Sequence, residues 1–147
     1  MIVTGCSSNN SNNIENEERL EKNVNWENNK TFESNGFILR GTEGVVGFID
    51  EPFIPGDTNK YMWHFWGDYS ESSQLIVKGQ KKGSKQEEMV LMENNEKVWG
   101  LSGGLDGPNN GADFHKPSLM SLPESGTWSL NIYLDDKFID NIVVEVK

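Results

Sequence analysis

The sequence predicts an all-β sandwich running from about Asn35 to Lys147, preceded by a polar N-terminal tether. Three observations carry this expectation. Short β-prone runs recur along the chain with turn residues between them. The last two runs alternate apolar and polar residues, the period of a half-buried strand. No long amphipathic helix interrupts them, which favours packed sheets over a mixed fold.

The chain begins Met1-Ile2-Val3-Thr4-Gly5-Cys6, followed by the polar tract SSNNSNNIENEERLEKN. Val3-Thr4-Gly5-Cys6 resembles the end of a bacterial lipoprotein signal peptide: a branched apolar residue, two small residues, then the Cys that becomes lipidated. A charged region and an apolar stretch of about 7–15 residues precede such a motif. Residues 1–5 are therefore expected to be a signal remnant, with Cys6 the lipidation site and the chain anchored to the membrane without spanning it. Residues 6–34 read as a disordered acidic tether. Their apolar members Ile14, Leu20, Val24 and Trp26 are too sparse to demand burial, although Trp26 is placed to dock on the domain.

Within residues 35–147, Phe37–Gly41 and Val45–Ile49 are the first two β-prone runs. Asp50-Glu51-Pro52 and Pro55-Gly56-Asp57 close the second. Lys60–Gly67 is the most distinctive run. Tyr61, Trp63 and Phe65 fall on one face and Met62, His64 and Trp66 on the other. Both faces are bulky, so this is either a central strand covered on both sides or one with a wet face used for binding. Gln74–Lys78 and Glu88–Met92 flank the charged loop Gly79–Lys85 as a hairpin, and Lys97–Leu101 follows a turn at Glu93–Glu96. Ser102–Gly126 reads as one long irregular loop, and loops of that length are often functional. Thr127–Leu134 and Lys137–Lys147 make the final hairpin around Asp135-Asp136. Trp128, Leu130, Ile132 and Leu134 face one way, as do Ile142, Val144 and Val146.

The segment Glu124–Tyr133, followed by Asp135–Phe138, resembles the last hairpin of bacterial immunoglobulin-like extracellular domains. With Cys6, residues 35–147 look like a family of small lipoproteins of Gram-positive bacteria that carry such a domain. The resemblance implies an immunoglobulin-like β-sandwich, mostly antiparallel, on the extracytoplasmic face of the cell membrane. It brings no catalytic residues. The disulfide of antibody domains has no counterpart, because no Cys lies between Asn35 and Lys147, and a hydrophobic core must replace it.

The net charge of −10 repels phosphate backbones, and the cluster Lys78, Lys81, Lys82, Lys85 is followed at once by Glu87 and Glu88. Nucleic acid is therefore not an expected partner. The single Cys excludes both an internal disulfide and a paired-Cys zinc site. Of the two histidines, His64 lies in the aromatic strand and His115 in the long loop, two residues after Asp113. If the two segments met, these three would offer a His/His/Asp metal set. Asp50, Glu51 and Asp57, or Asp106, Asn109, Asn110 and Asp113, offer hard oxygens for calcium, without EF-hand spacing. No phosphate loop, HExxH or nucleophile-elbow pattern occurs.

The sequence thus points to a non-catalytic surface module with no cofactor and no resident metal. Its candidate binding residues are Tyr61, Trp63, His64, Trp66, Asp113 and His115. Its expected partner is a protein, peptide or cell-envelope glycan. The alternatives are a small metal-dependent enzyme using His64 and His115, and a sandwich-type proteinase inhibitor.

Overall fold

A computed structural model of the chain describes residues 24–147, so Cys6, the signal remnant 1–5 and tether residues 6–23 lie outside the described residues. The described chain is all-β. Strands β1 (Thr31–Ser34), β2 (Phe37–Thr42), β3 (Val46–Ile49) and β4 (Asn59–Phe65) come first. They are followed by β5 (Leu75–Lys81), β6 (Glu88–Met89), β7 (Leu91–Glu93) and β8 (Glu96–Val98). The last three are β9 (Phe114–Met120), β10 (Gly126–Leu134) and β11 (Lys137–Val146). They form two antiparallel sheets, one of seven strands in the order β1-β2-β3-β4-β9-β7-β8 and one of four in the order β11-β10-β5-β6.

The inner faces of both sheets supply a single core. Tyr61, Trp63 and Phe65 of β4 meet Trp128, Leu130 and Ile132 of β10 and Ile142, Val144 and Val146 of β11, as the alternation of these strands requires. Phe48 lies edge-on to Tyr61 and Trp63, with ring centroids 5.7 and 5.0 Å apart. Phe53 stacks on Tyr61 at 4.4 Å. The Tyr61 hydroxyl donates to the Pro52 carbonyl at 3.0 Å, and burial pushes its pKa up to about 12.

The chain passes between the sheets at short switches. Val90, fully buried, divides Glu88–Met92 into β6 in one sheet and β7 in the other. A Cβ on Gly79 would lie 2.5 Å from Val90 Cγ1, so the close approach there requires glycine. After β8 the chain returns to the second sheet. Val77 N–H donates to the Trp99 carbonyl at 3.2 Å and Leu101 N–H to the Leu75 carbonyl at 2.9 Å. After β3 it reaches the outer edge of β11, where Phe53 bridges Val146 in parallel.

Two expectations change. The fold does not begin at Asn35. Thr31–Ser34 pairs with Phe37–Arg40 as a hairpin, and Asn35 and Gly36 supply the positive φ values (52° and 86°) of a tight two-residue turn. Upstream, Val24 is buried, and Asn25 N–H donates to Asn141 Oδ1 at 3.0 Å while Asn141 Nδ2 donates to the Asn25 carbonyl at 3.0 Å. Trp26 docks under the Lys82 ammonium, 5.8 Å from its ring centroid.

The second change is in Ser102–Gly126, which is not one irregular loop. It contains β9, which pairs with β4 over its whole length. Pro117 hid this strand. His115 N–H points to Asp106, Leu119 pairs with Met92, and Ser121 N–H donates to Val90. Ladder alternation therefore turns the Pro117 nitrogen into the unpaired gap between them, where a missing N–H costs no bond. Strand β5 also runs to Lys81, taking Gly79–Lys81 out of the expected loop.

Candidate functional site

The structure separates the expected binding residues. Tyr61 and Trp63 are core side chains, 1% and 0% exposed. His64 points to the opposite face of the seven-stranded sheet and is also buried. Gly47 lies across from it, and the hairpin tip Asn109–Ala112 closes over it. In that tip Asn110 and Gly111 take φ values of 50° and 85°, again a tight turn matched to strand twist. Trp66 Nε1–H donates to the Gly111 carbonyl at 3.0 Å, and the Trp66 ring packs edge-on against Phe32 at 5.6 Å. The first alternative for Lys60–Gly67, a central strand covered on both faces, is the one realised.

His64 and His115 do meet, as a cross-strand pair with ring centroids 6.4 Å apart. Three of their four ring nitrogens are hydrogen-bonded. His64 Nδ1–H donates to the Met62 carbonyl at 3.2 Å, and its Nε2 accepts from Asn110 Nδ2 at 3.1 Å. Burial, with a smaller contribution from His115, holds the His64 pKa below its ordinary value, so the ring is neutral. His115 Nδ1–H donates to the Gly107 carbonyl at 2.8 Å, and its Nε2 stays 3.9 Å from Asp106. Asp113 turns away, and its carboxylate accepts from Gly67 N–H at 2.8 Å. These groups hold the loop in place. Among the described residues no cluster of three or more His, Cys, Asp or Glu is placed to hold a metal ion.

Sequence reasoning missed a second group, on the outer face of the four-stranded sheet. Ile76 of β5 lies across from Tyr133 of β10, and Tyr133 across from Phe138 of β11. The Lys78 ammonium sits between two rings, 4.8 Å from the Tyr133 centroid and 5.9 Å from that of Trp99. Trp99 and Phe138 remain 43% and 40% exposed. Beside them opens a cleft of about 580 Å³, lined by Ile76, Lys78, Gln86, Glu87 and Trp99. Glu87 accepts a hydrogen bond from Asn131 Nδ2 at 3.0 Å. Burial, and secondarily Glu87, raise the Tyr133 pKa. Trp99 follows a strand by one position, and only the switch between sheets brings it to Lys78, so no local pattern announces the group.

The model of the domain of unknown function DUF4871 matches residues 16–144. The chain belongs to the DUF4871 family. That span contains every candidate side chain named above except Cys6. The crystal structure of a "Putative Lipoprotein from Bacillus anthracis" is similar to this DUF4871 chain. Identity is 30% over 88% of this chain and 91% of that one, with a TM-score of 0.76. No curated protein matches.

Proposed function

We propose that this DUF4871 chain is a lipid-anchored, non-catalytic binding module on the extracytoplasmic face of the cell membrane. Cys6 carries the lipid, residues 1–5 are the remnant of its signal peptide, and the polar residues after Cys6 act as a spacer. The observation that carries the reading is the Val3-Thr4-Gly5-Cys6 motif in a chain similar, over most of its length, to a Bacillus anthracis "Putative Lipoprotein". The module itself is read as an immunoglobulin-like sandwich. Strand order supports this: β3-β4-β9-β7 opposite β11-β10-β5-β6 follows ABED facing GFC with an added C′ strand. The hairpin partner β2, with β1, precedes this set, and β8 follows its D-like strand. Buried Trp63 and Trp128 lie on β4 and β10, the counterparts of the strands that antibody domains join by a disulfide.

Fractionation of a Gram-positive host tests the anchor. The wild-type chain is expected with the membrane, and Cys6→Ser in the medium or soluble fraction. Equal membrane association of the two would refute it.

A further inference from the structure

We propose that the cleft lined by Lys78, Glu87 and Trp99 is a binding site for a neutral glycan, one or two pyranose units of a chain lying against Trp99. This deepens the reading of the chain as a binding module and rests on it. A pyranose has a face of C–H groups and a rim of hydroxyls. The first needs an exposed aromatic plane, and the second needs donors and acceptors at that plane's edge. Trp99 offers the plane at 43% exposure. Across Lys78 stands Tyr133, edge-on to Phe138 with ring centroids 5.5 Å apart. Lys78, Gln86 and Glu87 line the same cleft and supply an ammonium, an amide and a carboxylate. Its volume of about 580 Å³ falls within the roughly 300–1,000 Å³ of small-molecule sites.

Charge and hydrogen bonding narrow the ligand class. Among the described residues the cleft is lined by one cation and one anion, so a ligand of either sign meets a like charge, whereas a hydroxyl both donates to Glu87 and accepts from Lys78. An extended peptide would need a free strand edge. Strand β5 has none here, because β10 takes one side and Trp99–Leu101 the other. The ammonium already lies over both rings, and Glu87 is held by Asn131, so two of the polar groups are oriented before a ligand arrives.

Titration of the purified full chain with soluble cello- and chito-oligosaccharides tests the site, followed by tryptophan fluorescence and amide chemical shifts. One series is expected to saturate, with shifts centred on Lys78, Gln86, Trp99 and Tyr133. Trp99→Ala should weaken it about tenfold. Phe37→Ala, an exposed ring on the other sheet, serves as the control and should leave affinity unchanged. The amide spectrum of Trp99→Ala verifies its fold. No response from either series at millimolar sugar, shifts centred elsewhere, or wild-type affinity in Trp99→Ala would overturn the proposal. None of these bears on membrane anchoring, which Cys6→Ser decides separately.

Discussion

Replacing Asn141 by Ala tests whether the chain from Val24 onward is part of the folded unit. The side chain is 2% exposed. Its Oδ1 accepts from Asn25 N–H at 3.0 Å, and its Nδ2 donates to the Asn25 carbonyl at 3.0 Å and to Ser129 Oγ at 3.1 Å. Asn25 is itself exposed, so its freed peptide groups pass to water and each lost bond costs its net worth of about 1 kcal/mol. Ser129 keeps its own donation to Asn131 Oδ1 at 2.7 Å. The sum for the three bonds is about 3 kcal/mol. With a urea slope of about 2 kcal/mol/M, the unfolding midpoint should fall by about 1.5 M. Hydrogen exchange supplies the local readout: the Val143 amide, which donates to the Asn28 carbonyl at 2.9 Å, should lose protection ahead of the core of β10. A midpoint shift below about 0.3 M, with that protection unchanged, would refute the reasoning.

Three further outcomes follow from the packing. Because the folded His64 pKa lies below its ordinary 6.5, the unfolded chain takes up a proton that the folded chain refuses. Stability should be full above about pH 6.5 and fall as the pH drops below it, and His64→Gln should flatten that fall in urea titrations. Trp63 Nε1 is buried without a hydrogen-bond partner among the described residues, whereas Trp128 Nε1–H donates to the Glu124 carbonyl at 3.0 Å. Calorimetry should therefore find Trp128→Phe more costly than Trp63→Phe by about 1 kcal/mol. Gly79→Ala should cost about 1–3 kcal/mol by driving Cβ into Val90, and the double variant with Val90→Ala should recover part of that loss in a denaturation cycle.

The parts of the fold legible in the sequence are those where packing imposes period two. Trp128–Leu134 and Ile142–Val146 alternate because one face is core, and Tyr61, Trp63 and Phe65 point inward for the same reason. Strand β9 was hidden because Pro117 and the polar His115 and Lys116 argue against a central strand. Only the gap between Asp106 and β7 makes Pro117 harmless. Strand β1 did carry a local signal, Asn35-Gly36 between Thr31–Ser34 and Phe37–Arg40, but acid-rich neighbours made it read as tether. Ser129, Asn131, Asn141 and Gln80 look like a solvent face in one dimension. They are buried because Val24–Trp26 and the 82–87 turn cover them, a contact between residues far apart in sequence. Of the candidate site, the aromatic strand was visible but is largely core. The exposed aromatic group at Trp99 depends on the switch between sheets.

The most direct test of the central claim, a binding module tethered by lipid, is mass spectrometry of the N-terminal peptide of the chain made in a Gram-positive host. The account predicts that the mature chain starts at Cys6 and that this residue carries the mass of a diacylglyceryl group. An unmodified Cys6, or a mature chain that begins elsewhere, would contradict it.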